Sequence, residues 1–323
     1  MQEWFQEKIT DAKVLDLSME VYKKKFKSLI GYQFLFAIII IVMMMAGGLL
    51  ILPMLFWINL GSIPGFVLFI VLLIMGIGTL MSLNNVGIFH MTHSYINGED
   101  ISASEALGRA FSSFKYIFRI VGALAICLVP ILFILGLAGV TTTAVTVFHQ
   151  QMVSGILTYL LFNVLFLSFI TAIIGSFLFY SLHIAVFDKE KGFASIKRSM
   201  QFAKGEVLKN AFRVLSISMF HWGVNVSVYA SIAGAVGLLS FLFGKIQGGE
   251  SIVTQMMLYS QKGRSFIDFV VGILLNPISP IIWTVYYINM KYKKEGLKIN
   301  NMIESLEHKK SEELPENLDI HYE

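Results

Sequence analysis

The sequence predicts an all-α fold, a polytopic membrane bundle of about six transmembrane helices, and three observations support this prediction. The chain of 323 residues is 56% hydrophobic and only 14% charged, whereas an ordinary soluble domain is about 45–50% apolar and about 25% charged. Several apolar runs reach the roughly 20 residues that a helix needs to cross a bilayer. Lys and Arg residues gather on one side of these runs. Helices are the expected spanning elements, because a backbone in lipid must satisfy its own hydrogen bonds.

The apolar runs give the order of the predicted membrane helices. Residues 1–29 are polar and charged, so we expect a retained first helix rather than a cleavable signal peptide. The fifth run is long for one crossing and short for two crossings with a turn, and we expect a single tilted helix. The predicted membrane helices are residues 30–52, 66–90, 117–139, 157–184, 212–243 and 266–289.

The distribution of basic residues predicts the orientation of the bundle. The segments 53–65 and 140–156 contain no Lys or Arg, whereas basic residues cluster before the first, third and fifth runs and after the sixth. Lys and Arg favour the cytoplasmic side of a membrane. The sequence therefore predicts that both termini are cytoplasmic and that residues 301–323 form a polar, disordered cytoplasmic tail.

Three segments with helical periodicity precede the odd-numbered membrane runs, at about 8–27, 102–116 and 191–209. They align at offsets of 92 and 89 residues, with Leu15, Leu107 and Ile196 in register, and they predict a three-fold repeat of one surface helix and two membrane helices. Ser102 and Glu105 have the spacing of a capping box. Such helices either lie at the lipid headgroups or support the bundle from below. The headgroup-binding candidates are Arg109, Lys115, Arg198 and Lys204.

Two segments of the chain resemble a known membrane family. Residues 183–206 read HIAVFDKEKGFASIKRSMQFAKGE, and residues 283–296 read WTVYYINMKYKKEG. They are similar to the membrane domain associated with some bacterial glycerophosphoryl diester phosphodiesterases and to stand-alone relatives that lack the catalytic domain. Where the family pattern has an acidic residue before the closing basic pair, this chain has Asn289. The resemblance implies a bacterial cytoplasmic-membrane protein without phosphodiesterase activity, because in fused relatives a separate soluble barrel carries that chemistry.

The sixth run contains the strongest candidates for a binding site. Asn276, Pro277 and Pro280 predict a break at mid-membrane depth, and broken helices expose backbone groups that some transporters use to bind ligands. Asp268 is an acid within a predicted membrane run, although it lies near the outer interface, where it can reach water or Arg264. The alternative for the break is a kink that serves packing alone.

His221 and Asn225 are one turn apart in the fifth run, with Ser218 nearby. They line a polar path or form hydrogen bonds between helices. His90 and His93 share a helix face, but no Cys or third His accompanies them, so the sequence predicts no metal site. The candidate residues therefore do not form a recognisable catalytic signature.

The predicted function is therefore non-enzymatic. The sequence lacks the phosphate-binding loop and the His-Glu-x-x-His and Gly-x-Ser-x-Gly signatures. We expect the membrane component of a transport, export or protection system for a lipid, peptide or small solute. Its expected partners are the lipid bilayer and a separate ATPase or other membrane protein, with no cofactor and no nucleic acid. The alternatives are a membrane scaffold and an enzyme that acts on lipid headgroups through His90, His93, Asp188 and Glu190.

Overall fold

Helices make up every regular element in the part of the chain that the computed structural model describes. That part comprises residues 10–59, 63–128, 136, 153–242 and 268–295. The predicted tail 301–323 lies outside it. The helices are α1 Asp11–Lys24, α2 Phe26–Asn59, α3 Ile63–Ile96, α4 Ala103–Ser112, α5 Phe114–Leu128, α6 Val153–Leu178, α7 Ser181–Phe187, α8 Gly192–Ala203, α9 Val207–Leu242, α10 at 268–275 and α11 Ile278–Glu295.

Four helical segments within the described residues are long and apolar enough to cross a membrane. They are Phe26–Gly47, Phe69–Ile96, Leu165–Phe187 and Asp268–Glu295. The pair α4 and α5, bent by 60° at Ser113, provides a fifth if the two helices are counted as one span. An all-helical chain with membrane-length apolar helices is thus confirmed, and four or five of the six predicted spans meet this test.

The fifth predicted run forms one continuous helix. α9 extends over 36 residues, which corresponds to about 54 Å at 1.5 Å per residue. It is therefore a single helix, as predicted, rather than a hairpin. It is absent from the four apolar candidate spans.

The sixth predicted run is broken where the prolines predict it. α10 ends before a turn at Asn276 and Pro277, and α11 begins at Ile278. Neither Pro277 nor Pro280 has an N–H group, so neither can continue the helical hydrogen-bond ladder. The second half is longer than predicted, because α11 continues to Glu295 rather than stopping near residue 289.

The three surface helices are present but shorter than predicted, because the following long helices begin earlier. Their N-cap residues are Thr10, Ser102 and Lys191. These positions differ by 92 residues (102 − 10) and 89 residues (191 − 102), which are the offsets found in the sequence. The Ser102 hydroxyl accepts a hydrogen bond from the Glu105 N–H at 3.2 Å, so this half of the predicted capping box is formed.

The same positions of each surface helix face the protein interior. Residues four, eight and eleven positions after the N-cap are buried in all three helices. The three residues that align in the sequence do not share one environment: Leu15 is exposed, Leu107 is half-buried and Ile196 is buried. The shared inward column begins one residue earlier. Its members are Val14, Ala106 and Ser195, then Ser18, Ala110 and Ser199, then Val21, Ser113 and Phe202.

The main core lies at the end of the bundle that carries α1, α4 and α8, called here the surface-helix end. α11 is central to this core and packs against α1, α3 and α8. The other long helices continue past the core, and there their large apolar side chains are exposed, as at Met44, Met45 and Ile74. We call this region the distal half. An uncovered apolar surface of this kind is typical of a membrane-facing region.

Candidate functional site

A cavity of about 840 Å³ lies beside the break between α10 and α11. Its walls come from α2, α3, α9, the α6–α7 junction and the start of α11. The apolar lining residues include Phe36, Ile40, Ile217 and Trp283. The polar lining residues are Asn84, Asn85, His183, Ser218, His221, Asn276 and Ser279.

Three of the residues predicted from the sequence line this cavity: Asn276, Pro280 and His221. They come from two predicted membrane helices that are far apart in sequence, and the fold brings them together. Ser218, the predicted neighbour of His221, lines the same cavity. The prediction of separate polar features in the fifth and sixth runs thus corresponds to one site.

Three other predicted residues lie outside the lining. The Asn225 side chain donates a hydrogen bond back to the carbonyl of His221 at 2.9 Å, so it serves its own helix. The carbonyl of Pro277 accepts from the Ile281 N–H at 3.2 Å and forms part of the first turn of α11. Asp268, at the other end of α10, accepts a hydrogen bond from the Tyr229 hydroxyl. The suggested partner Arg264 lies outside the described residues.

His183 is a cavity residue that sequence reasoning did not select. It is only 2% exposed, and its ring stacks on Phe89 with centroids 3.9 Å apart. Its Nε2 lies 3.3 Å from the Thr284 hydroxyl, which itself donates to the carbonyl of Pro280 at 2.8 Å. His183 therefore connects the cavity lining to α11.

Asn84 and Asn85 are the other missed polar residues of the lining. Asn84 donates to the Gln33 side chain at 3.4 Å, and its own Oδ1 has no hydrogen-bond partner. The Nε2 atom of His221 also has none. Unpaired buried polar atoms are costly, and each calls for an explanation such as a ligand or water. Two adjacent asparagines inside the apolar run 66–90 were the sequence signal for this wall.

An ionic cluster lies at the surface-helix end, next to α7. It consists of Asp188, Glu190, Arg198, Lys291 and Glu295. Arg198 pairs with all three carboxylates, with 3.2 Å to Asp188. Asp188 also pairs with Lys291 and accepts a hydrogen bond from the Tyr287 hydroxyl at 3.1 Å. The cluster therefore joins α8 and the segment before it to the end of α11.

The two segments that carry the family resemblance are partners in space. Besides the ionic cluster, Lys293 pairs with Glu206, and the Lys294 ammonium donates to the carbonyl of Lys204 at 3.0 Å. The hydrogen bond from Lys293 lowers the pKa of the Glu206 carboxyl below its ordinary value, and burial opposes this shift. The charged positions of both motifs thus have a structural role in this chain.

The proposed headgroup ligands fall into two groups. Arg198 belongs to the ionic cluster, and Arg109 pairs with Glu105 and donates to the Ser94 hydroxyl at 3.1 Å. The side chains of Lys115 and Lys204 are exposed, and no ion pair involves either of them within the described residues. Of the four headgroup candidates, Lys115 and Lys204 are therefore the two that could bind a lipid phosphate without breaking an ion pair among the described residues.

The residues of the enzyme alternative lie around the end of α7. The rings of His90 and His93 contact the ring of Phe187, with centroids 5.4 Å and 4.7 Å away. The neighbouring carboxylates of Asp188 and Glu190 are paired with cations. No group of three or more metal-ligating side chains occurs in the described residues. Both carboxylates of this set are therefore engaged in ion pairs.

Comparison with known proteins adds no assignment to this geometry. No protein-family model matches the chain, no curated protein is similar to it, and no solved structure matches its fold. The family resemblance carried by residues 183–206 and 283–296 therefore remains an expectation. The function has to be inferred from the cavity and its surroundings.

Proposed function

We propose that this chain binds an amphiphile in the cavity beside the α10–α11 break, as the membrane component of a transport, export or protection system. The convergence of Asn276, His221 and His183 on one cavity of about 840 Å³ carries the proposal. This volume lies within the range of about 300–1,000 Å³ that is usual for small-molecule sites. A broken helix at the centre of a bundle is also where several transporter folds bind their substrates.

The proposed topology has six spans in a bacterial cytoplasmic membrane, with both termini in the cytoplasm. In it, each of three units contributes one surface helix and two membrane helices, and the chain is a relative of the stand-alone membrane family that it resembles. The common N-cap offsets and the common buried positions of α1, α4 and α8 support the repeat. The cavity then lies in the cytoplasmic half of the membrane.

The proposed partners follow from this topology. The bilayer surrounds the distal half, and the exposed ammonium groups of Lys115 and Lys204 contact anionic headgroups at the cytoplasmic surface. Active movement of a bound amphiphile needs an energy source, and the sequence has no phosphate-binding loop. We therefore include a separate ATPase as the partner that would supply it.

Co-purification from the native membrane tests the proposal. The tagged protein is extracted in mild detergent, and bound lipids, peptides and proteins are identified by mass spectrometry. The cavity variant is Ser218→Phe, which places a ring in the lining. The matched control is Ser216→Phe, two residues away on α9, since Ser216 does not line the cavity. We expect one enriched amphiphile with the wild type and the control, and its loss with Ser218→Phe.

The outcomes separate the proposal from its alternatives. Enrichment of one amphiphile that depends on residue 218 supports cavity binding, and a stoichiometric ATPase in the same sample supports transport. If the amphiphile is retained equally by both serine variants, it binds elsewhere and the cavity is not the site. A preparation with neither an enriched amphiphile nor a partner protein would refute the transport proposal and favour a scaffold.

A further inference from the structure

The cavity contains no formal charge among the lining residues that the structure describes. Its lining consists of aromatic and aliphatic side chains, amides, hydroxyls and two imidazoles. The nearest guanidinium on α9, that of Arg213, lies over the Tyr286 ring at 4.4 Å and pairs with Asp11. An ion that entered the cavity would lose its hydration without gaining a counter-ion, which costs several kcal/mol.

The helix break supplies dipoles of both signs in the same place. The N–H group of Ser279, a lining residue, stands in the first turn of α11, where a helix offers it no carbonyl of its own. The carbonyl of Asn276, another lining residue, loses its normal donor, because residue 280 is a proline. A helix start is partly positive and a helix end partly negative. Because both meet at this break, their fields offset each other, and an ion of either sign gains little.

The side chains at the break show the same balance. The asparagine amides of the lining carry both donors and acceptors. The hydroxyls of Ser218 and Ser279 in the same lining also both donate and accept hydrogen bonds. A head group that both donates and accepts hydrogen bonds satisfies these side chains best, and the apolar lining residues, which include Phe36 and Ile217, suit an alkyl chain.

We propose that the ligand of this cavity is an uncharged amphiphile with an amide head group and an apolar tail. The inference rests on the proposed cavity-binding function and adds the chemical class of the ligand. An amide presents a carbonyl oxygen to the Ser279 N–H and an N–H to the Asn276 carbonyl. A carboxylate has no donor for the carbonyl, and an ammonium group has no acceptor for the N–H. Both head groups also carry a charge that no lining residue compensates.

Two tryptophans make the proposal testable in lipid nanodiscs. Trp283 lines the cavity and is 8% exposed, whereas Trp222 on α9 points outward and is 72% exposed. Single-tryptophan forms that retain one or the other are titrated with three probes that share a brominated twelve-carbon tail, which quenches tryptophan on contact. The probes are the primary amide, the carboxylate and the ammonium. Quenching of Trp222 measures partition into the bilayer.

The expected result is saturable quenching of Trp283 by the amide, with an affinity at least about tenfold above that of either charged probe, beyond the partition seen at Trp222. Loss of one hydrogen bond of about 1.4 kcal/mol corresponds to a factor of ten. Asn276→Leu should therefore weaken amide binding about tenfold. The matched control Asn225→Leu should leave it unchanged, because that amide bonds to its own helix.

The possible results distinguish the two levels of the proposal. If the carboxylate or the ammonium probe quenches Trp283 with the same affinity as the amide, the proposed head-group class is wrong, while binding in the cavity is supported. If no probe quenches Trp283 more than Trp222, the cavity does not accept amphiphiles, and both proposals fail. Equal effects of Asn276→Leu and Asn225→Leu would also refute head-group recognition at the break.

Discussion

The segment Asp268–Glu295 and the other three candidate spans differ in how much of their apolar surface the protein itself covers. In Asp268–Glu295, 61% of the most apolar window is buried, whereas the corresponding values are 22%, 17% and 22% for Phe26–Gly47, Phe69–Ile96 and Leu165–Phe187. The segment Asp268–Glu295 is therefore the centre of the bundle, and the other three spans are its periphery. The most irregular backbone is placed where protein, rather than lipid, can satisfy its polar groups.

The same contrast separates the two ends of the molecule. At the surface-helix end, side chains such as Tyr32, Ile117 and Ile281 are fully buried and ion pairs connect distant segments. In the distal half, the described helices expose methionine, leucine and valine side chains along their length. The close packing that specifies the fold is therefore concentrated at one end. Residue identity is less restricted in the distal half, because any apolar side chain suits a lipid-facing position.

The largest difference in stability is expected between alanine substitutions at two glycines of α3, one in the core at the surface-helix end and one in the distal half. A Cβ at Gly87 would lie 2.2 Å from the ring of Tyr32, which is fully buried and donates to the Leu83 carbonyl at 3.0 Å. We expect Gly87→Ala to lower the free energy of unfolding by about 3 kcal/mol through overpacking. Denaturant unfolding of the purified protein in micelles measures this change.

The matched control is Gly76→Ala, one to two turns beyond the packed region of α3, where a Cβ meets nothing within 4 Å. It should be neutral or stabilising by up to about 1 kcal/mol, because alanine favours helix over glycine. Equal destabilisation by both substitutions would show that the distal half is packed as tightly as the core, and it would contradict the contrast between the two ends.

A smaller effect is expected from the ionic cluster. Arg198→Ala leaves the carboxylates of Asp188, Glu190 and Glu295 without their shared cation, although Asp188 keeps Lys291. The group is only partly buried, so we expect a loss of about 2 kcal/mol rather than the roughly 3–5 kcal/mol of a fully buried pair. Thermal unfolding monitored by circular dichroism provides the measurement.

Lys197→Ala removes the same charge from the adjacent residue, which is exposed and forms no ion pair within the described part of the chain. It should change stability by less than about 0.5 kcal/mol. If the two substitutions have the same effect, the cluster contributes only through net charge and does not fasten α8 to α11.

A smaller effect on stability is expected from one hydrogen bond at the end of α10. The Tyr22 hydroxyl on α1 donates to the carbonyl of Leu274 at 2.8 Å, at the end of α10. Tyr22→Phe should cost about 1 kcal/mol, and it should increase hydrogen exchange around residues 274–278 more than elsewhere. Tyr116→Phe is the control, because the Tyr116 hydroxyl makes no hydrogen bond among the described residues. Uniform exchange changes in both variants would show that the bond does not hold the break.

The smallest expected effect depends on pH. Because the folded-state pKa of Glu206 lies below its unfolded value, its contribution to stability is fully present above about pH 4.3 and is lost as the pH falls through the folded-state pKa. The wild type should therefore lose more thermal stability than Glu206→Gln between pH 6 and pH 3.5, by about 2 °C or less. An identical pH dependence of the two proteins would contradict the pairing with Lys293.

Local features of the fold could be predicted from the sequence, whereas the site could be predicted only in part. The break at Asn276 and Pro277 and the cap at Ser102 depend on backbone chemistry within a few residues, so the sequence is sufficient for them. The alignment of Leu15, Leu107 and Ile196 does not show which positions face the interior, and Leu15 is exposed. A leucine at a membrane surface is equally suited to lipid and to core, and hydrophobicity does not distinguish the two.

Long-range contacts explain the remaining differences. His183 lies in a run that reads as membrane helix, and its hydrogen-bond partner Thr284 is about a hundred residues away in sequence. Arg198 was assigned to lipid headgroups because nothing near it in sequence shows that Glu295 reaches the same point. Asn276 and His221 were both identified, yet only the folded chain shows that they share one cavity.

The pairing of Arg198 with Glu295 also has a mechanical consequence. Glu295 ends the described part of α11, and Arg198 fastens it to α8 at the surface-helix end. Movement of this end of α11 away from α8 therefore requires rupture of the Arg198–Glu295 ion pair. The pair thus couples the position of α8 to that of the helix that begins at the break.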